Sequence, residues 1–235
     1  MYNSTALTSS SCIKTMTPEN RKTTSETLLH KRGIRINLQL PLTESDEEVR
    51  LRSNEEVLRR MVALWCVSGA AADAVQFQRF RAYVGQHGIA DWLSAAERGF
   101  LLHDAGYPAA DEVLRASFMQ RKESLFFLAW CAGLVRKIDL PGSASSLKAV
   151  LSLLPQQDEA PGKLQAAVKL RSKREILGWA DLLYRLHWAV RHANLIGKPV
   201  PGNLDAVMVQ QWHQAVNWVI GYDDENDWDL VGTDT

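Results

Sequence analysis

The stretch from residue 172 to residue 192, SKREILGWADLLYRLHWAVRH, is the strongest indication of the fold class in this sequence. It opens with a capping box, because Ser172 is followed three residues later by Glu175 and each side chain can bond a free backbone N–H at a helix start. The next proline is Pro199, so no proline interrupts the stretch. A long helix is therefore predicted here, as the central element of an all-α fold.

The two sides of this helix differ in character. At about 100° per residue, one side carries only apolar residues, namely Trp179, Leu182, Leu183, Leu186, Val190 and Ala193. The opposite side carries Asp181, Arg185 and His192. A second polar stripe carries His187 and Arg191. A helix with this much apolar surface is buried on most sides, so its polar groups need partners inside the protein.

The remaining sequence predicts about eight to ten helices in all. Two more capping boxes, Ser53 with Glu56 and Ser94 with Glu97, indicate further helix starts. Asn203 is in position to cap the last helix, which Gly221 ends. The helices expected besides the central one cover residues 18–32, 54–65, 77–84, 95–102, 109–119, 123–135, 143–154 and 204–220.

The segments between and beyond the helices have distinct compositions. Residues 1–16 are rich in Ser and Thr and are expected to be a disordered tail, followed by a single helical domain over 17–235. Residues 34–41 alternate apolar and polar side chains, but a lone strand has no partner, so an extended segment lying on the helices is expected. The C-terminal tail is acidic, yet Trp228 in its middle predicts that it docks on the domain.

Composition excludes several classes of protein. The 235 residues are 46% hydrophobic and contain 27 basic and 27 acidic residues, so zero net charge gives no reason to expect nucleic acid or an anionic membrane. The longest apolar run, residues 125–135, is too short to span a bilayer. Cys66 and Cys131 lie in apolar runs and are expected to be buried free thiols. A cytoplasmic protein without a secretory signal is expected.

Motifs for common cofactors are missing from the sequence. It contains no phosphate-binding loop, no dinucleotide fingerprint and no nucleophile elbow, so no cofactor is expected. His187 and His192 are five residues apart rather than four, and no cysteine pair is near them, so no metal site is expected. The acidic residues 223–229 lack the glycine and glutamate of a calcium loop.

The central helix carries the candidate binding residues, which are Asp181, Arg185, His187, Trp188, Arg191 and His192. One interpretation is a pocket in which Asp181 or a histidine acts as acid or base and the arginines hold an anion. The other is an internal network that fixes helix packing, with Asp181 paired to Arg185 at i,i+4. The structural interpretation is favoured, because such networks also occur in inert cores.

Several segments resemble one bacterial family. Residues 171–191, the Ala215-Val216-Asn217-Trp218 run and the C-terminal segment from Trp228 are similar to the family known as domain of unknown function 4272. Upstream segments from residue 20 onward fit the same family, whereas Gln211-Trp212 and Val231-Gly232 depart from its pattern. The resemblance implies a bacterial cytoplasmic protein and carries no activity.

Two functional hypotheses follow. The first is a non-enzymatic binding protein, such as an inhibitor or immunity protein that masks a protein partner. The second is a small hydrolase that uses the polar stripe of the central helix around Asp181 and His187. An exposed patch without a pocket would favour the first, and a cleft on which those side chains converge would favour the second. The sequence carries no signal for the oligomeric state.

Overall fold

A computed structural model describes residues 16–143, 145–156 and 159–235, and helices dominate these ranges. The nine α-helices found there are α1 (Pro18–Lys31), α2 (Asn54–Ala70), α3 (Ala74–His87), α4 (Ala95–Leu101), α5 (Glu112–Cys131), α6 (Lys148–Leu151), α7 (Gly162–Ala167), α8 (Lys173–Leu195) and α9 (Ala206–Ile220). The same ranges contain no β-strand, which confirms the predicted all-α fold. Residues 1–15 of the expected N-terminal tail lie outside the described residues.

The helix starts predicted from the three capping boxes are present. Ser53, Ser94 and Ser172 each accept a hydrogen bond from the backbone N–H three residues later, and the glutamate there bonds back to the serine N–H. Thr17 caps α1 in front of Pro18. These local signals are readable because each capping pair lies within four consecutive residues.

The long helices pack in a spatial order that differs from their order in the chain. α1 packs on α8, α8 on α9, α9 on α5, α5 on α2, and α2 on α3. One continuous hydrophobic core draws side chains from all six of these helices. The core is aromatic where α5, α8 and α9 meet, since Trp130, Trp179 and Trp212 contact Phe127 there. α8 lies between α1 and α9, as expected of a central helix.

Close approach explains the small residues at the end of α2. A Cβ built on Gly69 would lie 2.2 Å from the ring of Phe80 on α3. Any larger residue at this position would have to displace the Phe80 ring, so the glycine permits this close packing.

The prediction for residues 109–135 was wrong in one respect. Two helices were expected, but α5 is one continuous helix, with Asp111 as its N-cap. Its first half is mostly exposed and its second half mostly buried. The change of polarity therefore marks a change of burial along a single helix. Gln120, Arg121 and Lys122 at the change are all good helix formers, so nothing ends the helix there.

Other helix boundaries also differ from the prediction. The helix expected over residues 143–154 is reduced to the single turn α6, preceded by serines whose side chains compete for backbone hydrogen bonds. The short helix α7 was not predicted. The cap of α9 is Asp205 rather than Asn203. Gly202 and Asn203 both have left-handed backbone conformations, so the helix begins only after them.

The segment between α1 and α2 is extended and without regular structure, as expected. Lys22 on α1 donates hydrogen bonds to the carbonyls of Leu38 and Leu40, at 2.7 and 2.6 Å. The segment therefore lies along the surface of α1. No helix in the described ranges is long and apolar enough to cross a membrane.

The C-terminal tail docks through Trp228, whose side chain is 2% exposed. Its ring meets Trp218 edge-on, and the guanidinium of Arg60 lies over it at 5.0 Å. Docking of the tail also predicts that Asp229 and Asp234 come within reach of arginines on the central helix, and for Asp229 this prediction is wrong. Asp229 instead accepts hydrogen bonds at 2.8 Å from Ser94 Oγ and the Ala96 N–H at the start of α4.

Replacement of Trp228 tests the docking of the tail. Trp228→Ala removes a buried aromatic side chain and is expected to lower the free energy of unfolding by about 3–5 kcal/mol, measured by denaturant unfolding. Leu230→Ala is the control, because Leu230 is two residues away and 67% exposed. It is expected to stay within about 0.5 kcal/mol of the parent. Superimposable curves for Trp228→Ala and the parent would show that the tail is not docked.

Candidate functional site

Asp181 and Arg185 form a buried ion pair on α8. Arg185 donates from Nε to Oδ2 of Asp181 at 3.0 Å and from Nη2 to Oδ1 at 2.8 Å. The two residues are 0% and 2% exposed. This two-point geometry is the strong form of an arginine–carboxylate bond, and it occupies both oxygens of Asp181.

Two other parts of the chain reach this pair. Glu26 on α1 places Oε1 3.6 Å from Nη1 of Arg185. The carbonyl of Pro41 accepts a hydrogen bond from Arg185 at 3.3 Å, and Thr43 donates to Asp181 at 3.4 Å. The pair therefore connects α8 with α1 and with the extended segment.

A second buried arginine holds the same segment from the side of α1. Arg21 donates to Oδ1 of Asp46 at 2.7 Å and also to the carbonyls of Glu44 and Met16. Lys173 at the start of α8 donates to the carbonyls of Asp46 and Val49. Residues 41–49 are thus fixed by three cations that lie on two helices.

His187 on α8 faces His213 on α9. Their Nδ1 atoms are 2.9 Å apart, and the rings meet edge-on. Burial lowers the pKa of both imidazoles, and the charge of Arg191 lowers that of His187 further. Both rings are therefore neutral near pH 7. One Nδ1 must carry a proton and the other must accept it, because two bare nitrogens or two N–H groups would repel each other.

A small cleft lies beside this histidine pair. We call it the histidine cleft, and its volume is about 110 Å³. Its walls are formed by Pro41, Leu42, Thr43, Glu44, Ala180, Tyr184, His213, Asn217, Ile220, Tyr222 and Asp234. The cleft therefore joins α8 and α9 to the extended segment and to the C-terminal tail.

The cleft is lined by acidic and phenolic groups. Glu44 and Asp234 supply carboxylates. Burial raises the pKa of the Tyr184 and Tyr222 phenols, with a smaller contribution of the same sign from Glu44, so both phenols stay neutral. Asn217 donates to the carbonyl of Gly232 at 2.8 Å and so fixes the tail beside the cleft. The cleft walls therefore combine two carboxylates, two phenols and one imidazole.

The six predicted site residues do not converge. Asp181 and Arg185 contact each other and the segment around Thr43. Three of the six contact residues that line the histidine cleft, since Asp181 contacts Thr43, Arg185 contacts Pro41 and His187 contacts His213. The other three residues lie further along α8, where His192 stacks on Trp188 at 4.7 Å and the exposed Arg191 reaches Thr235 at 3.3 Å.

Sequence reasoning missed most of the histidine cleft. Tyr184 lies on α8 between two predicted residues, so its place on the helix was readable. Glu44, His213, Tyr222 and Asp234 come from three distant segments and carry no shared sequence motif. One signal was available for Asp234. Burial of Trp228 predicted that the tail docks on the domain, and Asp234 is part of that tail.

A double-mutant cycle tests whether the Asp181–Arg185 pair is structural. Asp181→Asn and Arg185→Met each leave an uncompensated buried group, so each is expected to cost about 3–5 kcal/mol in denaturant unfolding. The double variant is expected to cost less than the sum of the two. Glu55 and Arg59 form an exposed i,i+4 pair at 2.9 Å and serve as the control, for which Glu55→Gln should cost at most about 1 kcal/mol. Single α8 variants within about 0.5 kcal/mol of the parent would contradict the structural role.

The buried histidines predict a pH dependence of stability. Their pKa values are lowered in the folded state, so the unfolded chain binds more protons as the pH falls below about 6.5. The free energy of unfolding is expected to fall between pH 7 and pH 5, with a slope approaching about 1.4 kcal/mol per pH unit for each histidine. His187→Gln should make the slope shallower and restore part of the stability that is lost at pH 5. Equal slopes for the parent and His187→Gln would show that the pair does not titrate this way.

Comparison with known proteins identifies the family. No curated protein and no solved structure matches the chain. A family model does match, over nearly the whole length, in agreement with the resemblance of the central helix and the C-terminal segments. Because the model described as Domain of unknown function (DUF4272) covers residues 21–231, the chain belongs to that family.

Proposed function

We propose that this chain is a non-enzymatic binding protein of the bacterial cytoplasm, which masks a protein partner as an inhibitor or immunity protein does. The observation that carries the proposal is the pairing of the Asp181 carboxylate with Arg185 on α8. Both oxygens of Asp181 are held by Arg185, so this carboxylate is not free to act as a base or nucleophile. The buried thiols of Cys66 and Cys131 are in keeping with a reducing compartment.

The histidines of α8 support the same proposal. Nδ1 of His187 forms a hydrogen bond with Nδ1 of His213, and the ring of His192 stacks on Trp188. A hydrolase that used Asp181 with these histidines would need them within hydrogen-bond reach of one another. Among the described residues, Asp181 pairs with Arg185, whereas the two histidines contact His213 and Trp188, so the three side chains do not bond to one another.

We place the partner-binding surface at the histidine cleft. The cleft is too small for a large substrate, but its size suits one anchoring side chain of a protein partner. Leu42 at its rim is 45% exposed, and Leu38 in the same segment is exposed as well. Leu42 would pack against the anchor and help to exclude water from it.

Site-specific photocrosslinking tests this proposal. A photoreactive residue at position 42 is expected to capture one protein from bacterial lysate, and that protein should form a 1:1 complex with the purified chain. The same residue at position 75 is the control, because Val75 is exposed on α3, which packs against α2 and α4. The complex should be lost when Tyr222→Ala removes a wall of the cleft.

The competing hydrolase hypothesis is tested in parallel. The purified chain would be incubated with panels of ester, phosphate ester, peptide and glycoside substrates. Turnover that disappears in a folded His187→Gln variant would overturn the proposal in favour of an enzyme. Failure to obtain any 1:1 complex from the position-42 capture would also overturn it.

A further inference from the structure

Resting on the proposed function, we propose that the histidine cleft is a receptor for one organic cation, the guanidinium or alkylammonium end of an arginine or lysine side chain presented by the partner. Three independent features of the cleft support this assignment: the charge of its walls, its aromatic faces and its buried imidazole.

The first feature is negative charge without a counter-ion. Glu44 and Asp234 line the cleft, and neither side chain forms a salt bridge with a described residue. No lysine or arginine contributes to the walls. The nearby Arg185 is bound to Asp181, and Arg21 is bound to Asp46. A cation that entered the cleft would therefore be the counter-ion of two carboxylates that form no salt bridge with a described residue.

The second feature is the pair of phenols. Tyr184 and Tyr222 stand in the walls as neutral rings. The face of an aromatic ring attracts a cation placed within about 6 Å of its centre, and guanidinium groups also stack on such faces. The guanidinium of Arg185 already lies over the Tyr184 ring, 5.9 Å from its centre, so Tyr222 is the ring available to a bound cation. An anion would be repelled by both carboxylates.

The third feature is His213, which is 2% exposed and yet contributes to the cleft wall. Its Nδ1 faces His187, and no described residue forms a hydrogen bond with its Nε2. A cationic N–H group in the cleft has an acceptor in this nitrogen when His213 carries its proton on Nδ1. In that tautomer His213 donates from Nδ1 to Nδ1 of His187, and His187 carries its own proton on Nε2.

Size and geometry select an organic cation over a metal ion. The described residues include no group of three His, Cys, Asp or Glu side chains placed to hold a metal. A volume of about 110 Å³ is somewhat smaller than that of an engineered cavity of about 150 Å³ that binds benzene. It suits a guanidinium with one or two methylene groups rather than a peptide or a nucleotide.

Binding of small probes tests the assignment without any protein partner. N-propylguanidinium chloride would be titrated into the ¹⁵N-labelled full chain, and the ring nitrogens of His213 would be followed by NMR. Saturable binding in the millimolar range or tighter is expected, as is usual for a ligand of this size. N-propylurea is the matched neutral probe and should bind at least about tenfold more weakly, because it lacks the charge.

A pair of double variants assigns the binding to the histidine cleft. Glu44→Gln with Asp234→Asn is expected to weaken binding of N-propylguanidinium at least about tenfold. The fold should persist, because Arg21 binds the backbone carbonyl of Glu44 and not its side chain. Asp104→Asn with Glu112→Gln is the control of equal charge change, at exposed positions outside the cleft, and should leave the affinity unchanged.

The outcomes separate this inference from the proposed function. Saturable binding that depends on charge and on the two cleft carboxylates supports the cation receptor, whether or not a protein partner is found. Equal binding of the urea and the guanidinium, equal binding by the two double variants, or no saturable binding overturns it. A partner captured at position 42 alongside such a failure would leave the proposed function standing and remove the inference alone.

Discussion

The buried pair of Asp181 and Arg185 is the interaction on which one side of the molecule depends. Both charges lie on α8, so the rest of the chain has to bring the remaining partners to them. Glu26 arrives on α1, and Pro41 and Thr43 arrive on the extended segment. A buried charge without such partners is strongly destabilising, so few arrangements of α1 and this segment are compatible with a stable fold.

The same network shapes the histidine cleft beside it. Arg21, Lys173 and Arg185 are engaged by residues 41–49 through backbone carbonyls and the Asp46 carboxylate. The Glu44 side chain is left without a cation and forms part of the cleft wall. Residues 41–49 thus contact three structural cations and also carry Glu44, whose carboxylate forms no salt bridge with a described residue. The positive charges contribute to packing, and we propose that the unpaired negative charge in the neighbouring cleft serves recognition.

The sequence predicted the features that depend on residues close together in the chain. The capping boxes, the i,i+4 pair on α8 and the burial of Trp228 all follow from local spacing or from the size of one side chain. Predictions from polarity alone were less reliable, as α5 shows, because exposure changes along a single helix. The histidine cleft was not predictable, since His213, Glu44 and Asp234 meet only after α8, α9, the extended segment and the tail have packed.

Native-state hydrogen exchange in Asp181→Asn tests the central claim most directly. If the pair anchors α1 and residues 41–46 to α8, removal of the Asp181 charge should speed amide exchange in those two regions selectively. Amides of α2 and α5, which pack on each other away from the pair, should keep the protection of the parent. An unchanged exchange pattern, or equal loss of protection in all four regions, would contradict the account.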